Sequence, residues 1–297
     1  MNIKKTTKWM SALILLLILA ACGNGAENTA SKEANGEMDM SHDIHVITRE
    51  DGSGTRGAFV EIFDVTDDVG EDMITQTATV QNGTSAVMQG VAGDEYAIGY
   101  ISLGSLNDSV KGVNIDGAMP TTESISSGDY AVSRNFNIVY GEELSEETQD
   151  FHDFLFSSQA QNIAVEQGYV AVKANADEYK AANIEGSISI VGSTSVEPLM
   201  AALAETYQKL NPNVTIDITA PGSGAGIAAA IDGSADIGMS SRELSDEELS
   251  EVEGVDAIAV DGIAVVVNKN NPISDLTLKQ VQDIYLGEMT TWLEVAE

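Results

Sequence analysis

Ile44-His45-Val46-Ile47-Thr48-Arg49-Glu50-Asp51-Gly52-Ser53-Gly54-Thr55-Arg56 carries an alternating apolar stretch into a glycine-serine turn flanked by two arginines. Val46 and Ile47 sit in a strand-like run, and Gly57-Ala58-Phe59-Val60-Glu61-Ile62-Phe63 can open a helix whose N-terminus faces the same turn. Glycines let backbone N–H groups converge without Cβ obstruction, and the helix N-terminus adds the positive end of its dipole. Ser53 and Thr55 contribute hydroxyl donors, and Arg49 a planar fork of N–H groups suited to a tetrahedral oxyanion. The stretch reads as strand, anion cradle and helix, the repeating unit of an α/β protein. The string Gly52-x-Gly54-x-x-Gly57 also satisfies the dinucleotide fingerprint, but a basic residue just ahead of the turn and an exported chain speak against that use.

Export is written at the start of the chain. Lys4, Lys5 and Lys8 form a basic leader, residues 10–19 are an almost unbroken apolar run too short for a comfortable membrane span, and Leu19-Ala20-Ala21-Cys22 has the form of a lipoprotein processing box. Cys22 is the only cysteine, so it makes no internal disulfide, and its position suits lipidation better than catalysis. Residues 1–22 are therefore expected to be a lipoprotein signal peptide and residues 23–43 a mobile polar tether to the membrane. Met38, Met40, His42 and His45 gather near the tether, yet their spacing matches no closed site, and neither a metal nor a cofactor is expected.

Of the 297 residues, Asp and Glu number 47 and Lys and Arg 14, a formal charge of −33 that argues against a nucleic-acid surface or an anionic-lipid contact. The same acidity does not exclude an anionic ligand. Surface charge is screened over about 8 to 10 Å in salt, whereas a buried site is governed by its own converging dipoles. The roughly 250 residues beyond the tether suffice for two medium domains or one large one.

Three more turns repeat the first idea. Ile188-Ser189-Ile190-Val191 is strand-like, Gly192-Ser193-Thr194-Ser195 turns, and a helix follows with Pro198 in its first turn and Leu199, Leu203, Tyr207 and Leu210 at helical spacing. Val214-Thr215-Ile216-Asp217-Ile218 runs into Pro221-Gly222-Ser223-Gly224-Ala225-Gly226 and a small-residue helix over 227–231. Ala235-Asp236-Ile237-Gly238-Met239-Ser240-Ser241-Arg242 precedes an acidic helix over 246–253. One such turn is an ordinary strand-to-helix connection, but four in one exported chain point to a common ligand.

These four turns resemble the phosphate-site motifs of the PstS family, the extracytoplasmic phosphate-binding proteins of phosphate ABC importers. The resemblance implies a two-lobed periplasmic-binding-protein-like α/β fold, with a hinge and a ligand cleft between the lobes. It implies Arg49, Ser53, Gly54, Thr55, Thr194, Ser195, Ser223 and Ser241 as contacts to inorganic phosphate. Asp51 would orient Arg49 through a carboxylate-guanidinium pair, Arg56 would add positive potential, and Ser193, Gly224 and Arg242 would support the site. Ser241 stands where well-known members place an aspartate that accepts a proton from hydrogen phosphate and so rejects sulfate. Family sequences from low-GC Gram-positive bacteria share the Ser-Ser-Arg found here. The partners so implied are phosphate, the permease subunits of an ABC importer, and the outer face of a Gram-positive cell membrane through the lipid on Cys22, with the protein itself a monomer.

The order of the parts departs from the family, in which the arginine turn follows the other three. Leu286-Gly287-Glu288-Met289-Thr290-Thr291-Trp292-Leu293-Glu294-Val295 resembles the family segment just upstream of the arginine strand, so Ile44 looks like its continuation. Tyr130-Ala131-Val132-Ser133-Arg134-Asn135-Phe136-Asn137-Ile138 resembles the return strand between lobes, and a helix over 151–168 the family's C-terminal helix. The chain thus reads as circularly permuted, with one lobe continuous over 131–262 and the other split between 44–130 and 263–297. Permutation is mild when termini lie close, so Glu297 is expected within about 15 Å of Ile44. The alternatives are a fragment of a tandem binding protein, or a phosphate-ester hydrolase or phosphate sensor reusing the cradle. No Ser-His-Asp order, HExxH helix, Walker lysine turn or CxxC supports catalysis, and His152 stands alone.

Overall fold

The computed structural model describes residues 38–296. Cys22, the signal peptide and tether residues 23–37 lie outside the described residues, as does Glu297. The arginine strand β1 (His45–Arg49) enters α1 (Gly54–Ile62), followed by β2 (Thr79–Gln81), α2 (Thr84–Gly93), β3 (Ala97–Ser102), the short strands β4 (Lys111–Gly112) and β5 (Asn114–Ile115), and α3 (Thr122–Ser127). Next come β6 (Ser133–Tyr140), α4 (Glu146–Leu155), α5 (Ser158–Glu166) and β7 (Val170–Ala171). The second series of turns is carried by β8 (Gly186–Gly192), α6 (Glu197–Leu210), β9 (Val214–Thr219), α7 (Ser223–Ile231), β10 (Ile237–Ser240) and α8 (Asp246–Leu249). β11 (Gly254–Val267), β12 (Asp275–Leu276), α9 (Leu278–Leu286) and α10 (Trp292–Ala296) follow.

The main sheet runs β2-β1-β3-β11-β6-β10-β8-β9, with β4 and β7 also paired to β11. β1 lies parallel to β2 and β3, and β8 parallel to β9 and β10, so each group delivers its strand ends toward the helix N-termini that follow them. β11 joins the groups. Its residues up to Gly262 pair antiparallel with β6, and from Ile263 onward they pair antiparallel with β3. The apolar run Ile263 to Val267 is buried throughout, as expected for a strand covered on both faces.

Apolar burial follows the same division. One cluster gathers Phe59, Tyr100, Tyr285 and Trp292 with Ile263 and Val265, and Phe59 stacks on Tyr100 at 3.9 Å between ring centres. Another gathers Phe136, Phe151, Phe154 and Tyr207 with Ile190 and Met239. Where the strands cross, Arg134 and Asp261 form a buried pair at 3.1 Å, and burial pushes the Asp261 carboxyl up to about 6 against the pull of Arg134.

Several expected boundaries shift. α1 begins at Gly54 rather than Gly57 because Ser53 caps it, its Oγ accepting the Arg56 N–H at 3.3 Å. α7 begins at Ser223 rather than residue 227, so both sets of turn residues lie inside first helical turns. The helix expected over 151–168 is two helices, broken where Ser157 caps the second, and the acidic helix ends at Leu249. Leu210 is 41% exposed and leaves the buried face of α6 to Leu199, Leu203 and Tyr207. The end of the expected tether is packed: Met38 and Met40 lie on the first cluster and Asp43 bridges to Thr291. His42 stacks on Tyr96, His45 pairs with Asp94 at 2.6 Å, and His152 reaches Asp256 at 3.1 Å.

Candidate functional site

Arg49 closes β1 and is only 1% exposed. Its Nε and Nη2 donate to the Glu50 carboxylate at 2.8 and 2.6 Å, and Nη2 also donates to Thr194 Oγ1 at 3.0 Å. Nη1 is buried with no hydrogen-bond partner in the protein. Such a donor costs about 1 to 3 kcal/mol if it stays unmatched, so a buried cationic fork with a free prong marks a place for an acceptor.

Hydroxyls and helix N-termini gather beside this guanidinium, whose Nη2 reaches Thr194 Oγ1. Thr55 Oγ1 and Ser195 Oγ lie 2.8 Å apart, Thr84 Oγ1 lies 3.1 Å from Ser195 Oγ, and Ser193 Oγ donates to Ser241 Oγ at 2.8 Å. Ser223 Oγ accepts the Ser241 N–H at 3.1 Å. A Cβ placed on Gly54 would fall 2.3 Å from Ser223 Oγ and 2.7 Å from Ser241 Oγ, so this glycine brings the start of α1 against the start of α7. The first turns of α1, α2 and α7 and the loop entering α6 thus converge, each pointing N–H groups and positive dipole ends the same way. Thr55, Ser195, Ser223 and Ser241 are each at most 1% exposed, which removes the competing water that weakens such bonds.

Two groups are tuned by this setting. Burial pushes the Glu50 carboxyl up, but the Arg49 hydrogen bonds and the Gly83 N–H at 3.0 Å outweigh it and hold the group below its usual range, hence ionised. Burial pushes the Tyr100 hydroxyl up to about 12, keeping it a neutral partner of Thr48 Oγ1 at 2.7 Å and of the Arg49 N–H at 3.2 Å.

The structure brings Arg49, Gly54, Thr55, Thr194, Ser195, Ser223 and Ser241 into one cluster, with Ser193 bonded to Ser241 and Ser53 serving as the cap of α1. Three supporting residues act differently from expectation. Asp51 does not orient Arg49: its carboxylate pairs with Arg56 at 2.9 Å and is solvent-exposed, and Glu50 performs the orienting role. The resemblance implies Asp51 for this role, but β1 ends at Arg49 and the neighbouring Glu50, not Asp51, meets the guanidinium. Arg242 spends its fork on Glu248, with two contacts of 2.7 Å. The Gly224 N–H donates to Gly52 O at 3.0 Å, linking the two turns to each other. Arg56 bonds Asp72 at 2.6 Å and Arg49 O at 3.0 Å, so its charge is shared around the turn.

Glu50 and Thr84 were not singled out in the sequence. Thr84 opens α2 after Val80-Gln81-Asn82-Gly83, a fifth strand-glycine-helix junction in which threonine follows the glycine where serine follows Gly52, Gly192 and Gly222.

Residues 7–159 and 177–296 match the PBP superfamily domain, which fits a cleft built from helix N-termini of two sheet groups. The chain is 46% identical over 277 residues to phosphate-binding protein PstS 2 of Streptococcus pneumoniae, covering 92% of each. It is 43% identical over 293 residues to phosphate-binding protein PstS 2 of Streptococcus agalactiae, covering 97% of this chain and 96% of the relative. A crystal structure of a phosphate-binding protein of a phosphate ABC transporter from Streptococcus pneumoniae superposes with a TM-score of 0.70 at 46% identity, over 85% of this chain and 99% of that one. The chain belongs to the PstS family of the PBP superfamily.

Proposed function

We propose that this protein captures inorganic phosphate outside the cytoplasm and presents it to the permease subunits of an ABC importer. The observation that carries this reading is Arg49, buried with one unpartnered prong beside hydroxyls gathered from four helix starts. Its ligand contacts are Arg49, Ser53, Gly54, Thr55, Thr194, Ser195, Ser223 and Ser241, joined by Thr84. The relatives' names supply the phosphate. The protein is a binding protein and not an enzyme, since no residue at the cluster combines a nucleophile with a neighbouring base. Isothermal titration should give one phosphate per chain, with no release of phosphate from a phosphomonoester. Turnover of the ester, or no heat with phosphate, would overturn the reading.

The working unit is a monomer of two lobes, 44–130 with 263–297 and 131–262, supported by the change of β11 partner between Gly262 and Ile263 and by the separate apolar clusters. It hangs from the membrane by a lipid on Cys22, after a signal peptide over residues 1–22, on the outer face of a Gram-positive cell. Among the described residues no helix is long and apolar enough to cross a membrane.

The order of its parts, which the PstS 2 relatives matched over 92% and 97% of this chain share, is a circular permutation of the order in other family members. Support comes from the meeting of the two ends: Asp43 bridges Thr291, with Ile44 N–H to Thr290 O at 2.7 Å and Trp292 N–H to His42 O at 3.4 Å. α10 has five residues and a helix rises about 1.5 Å per residue, so a linker of roughly four to six residues returns Ala296 to Ile44. A chain that starts at Gly186, runs to Ala296, crosses such a linker to Ile44 and ends at Ala182 should fold and bind phosphate like the original. An unfolded or non-binding product would favour the fragment reading.

A further inference from the structure

The two lobes proposed above meet where β11 leaves β6 for β3, between Gly262 and Ile263. The chain entering β6 crosses at the same place: the Ile263 N–H donates to Val132 O at 2.9 Å, and Tyr130 Oη donates to Ile263 O at 2.8 Å. When lobes swing, backbone at the crossing moves least, so these residues lie on the axis of the hinge. Asp261 stands beside that axis, fully buried. It is in register with Arg134 of β6, and its Oδ2 accepts from Arg134 Nη2 at 3.1 Å, a bond made within the continuous lobe. Its Oδ1 accepts from Ser102 Oγ at 2.8 Å and lies 3.5 Å from the Gly104 N–H, contacts that reach the split lobe. Ser102 ends β3, is itself fully buried, and pairs with Ile263 on the far side of the crossing. One carboxylate therefore holds donors from both lobes. The approach is close: a Cβ on Gly104 would fall 2.3 Å from Cζ of Tyr169, which belongs to the continuous lobe, so glycine is what lets the lobes touch here.

Stability alone is a weak reason for this pair. A buried ion pair is often no better than apolar residues of the same volume, and Arg134 keeps its Nε and Nη1 buried without a partner. What a carboxylate supplies here is a bond that senses rotation. Asp261 and Arg134 turn together because they share a lobe, whereas turning β3 against β6 lengthens the Ser102 contact. Burial pushes the Asp261 carboxyl up to about 6 against the pull of Arg134 and Ser102, so at neutral pH it is an anion. Taking a donor from a buried anion costs more than taking one from a neutral acceptor. The Ser102 bond is made in the same structure in which the lobes meet over the cleft, where the Gly224 N–H reaches Gly52 O and Arg49 Nη2 reaches Thr194 Oγ1, each at 3.0 Å.

We propose that Asp261 is a positioning residue for phosphate capture: held by Arg134, it locks the hinge through Ser102 when the lobes close, and so sets the rate at which bound phosphate is released. This rests on the two-lobe and phosphate readings above and deepens them. The lock lies at the axis and not in the cleft, so it acts on how long the lobes stay closed and leaves the ligand contacts themselves unchanged.

Ser102→Ala removes the donor across the axis and leaves the Asp261 and Arg134 pair in place. The full chain is loaded with radiolabelled phosphate and chased with an excess of unlabelled phosphate. Release from Ser102→Ala should be about tenfold faster than from the wild type, while association changes by no more than about twofold. In an Asp261→Asn background the same substitution should speed release by no more than about threefold, because the bond it removes no longer carries charge. Small-angle scattering without phosphate should give Ser102→Ala a larger radius of gyration than the wild type. Unchanged release from a folded Ser102→Ala chain overturns the proposal even if its melting temperature falls, since a merely structural bond would lower stability without touching release. Equal acceleration in both backgrounds also overturns it, because the hydroxyl would then act through some group other than Asp261. If Asp261→Asn does not fold, release from Ser102→Ala decides alone. If the wild type binds no phosphate, the phosphate reading fails, and scattering decides the lock: equal radii overturn it, and an expanded Ser102→Ala supports it.

Discussion

Arg49→Ala should reduce phosphate affinity by about 10² to 10⁴ in a chain that still folds, since charge-assisted hydrogen bonds contribute about 1.5 to 3 kcal/mol each. Two effects add. The substitution deletes a buried guanidinium that bonds Thr194 Oγ1 and keeps Nη1 unpartnered, and it removes two of the three hydrogen bonds held by Glu50. Glu50 then faces the ligand as an uncompensated carboxylate, or takes up a proton and loses its hold on the Gly83 amide. Either outcome is hostile to an anion. Arg49 contributes little to the apolar clusters, so the melting transition should persist, and titration calorimetry beside a thermal melt separates the two effects. Arg49→Ala with Glu50→Gln should recover part of the loss, because the repulsion goes with the carboxylate. Near-wild-type affinity in folded Arg49→Ala would sink the assignment of Arg49 to the ligand.

What could be read from the sequence was the local chemistry of each turn. Arg49, Thr55, Thr194, Ser195, Ser223 and Ser241 announced themselves because four such turns recur between strands and helices of one chain, where a single one would be an ordinary connection. The errors cluster where one turn ends and a helix begins. Gly54, Thr55 and Ser223 read as turn residues from their low helix propensity, yet capping and convergence on a shared ligand place them in first helical turns. Asp51 was implied by the family resemblance, and nothing in the local sequence told that the adjacent Glu50 would meet the Arg49 guanidinium instead. Sheet order was out of reach of periodicity: that one strand, β11, pairs with β6 over half its length and with β3 over the other half depends on contacts far apart in sequence. The nearness of the chain ends was legible only because the segment around Trp292 resembled what should precede Ile44, a clue of order rather than of physics.

Gly54→Ala should leave the fold intact and cut phosphate affinity by about 100-fold or more, as if the cleft had been wedged. The added Cβ would lie 2.3 Å from Ser223 Oγ, 2.7 Å from Ser241 Oγ and 2.9 Å from Ser223 Cβ. Serine is too short to swing away, and those two hydroxyls are themselves ligand groups, so relief comes only from moving α1 away from α7. That movement stretches the Gly224 N–H to Gly52 O bond and the Thr55 to Ser195 contact, both of which close the cradle. Folding has no reason to suffer, because alanine is favoured over glycine in a helix by about 1 kcal/mol and Gly54 does not need a positive φ. Gly57→Ala is the matched control: its Cβ meets only the Arg242 Cδ at 3.2 Å, on a long side chain that can shift, so its affinity should change by no more than about threefold. Calorimetry on the two variants, with small-angle scattering in the presence of phosphate, reads closure directly. If Gly54→Ala binds phosphate as tightly as Gly57→Ala and compacts to the same radius, the close approach of α1 to α7 is not part of the ligand-bound state, and the hydroxyls of Ser223 and Ser241 must reach phosphate from a wider cleft.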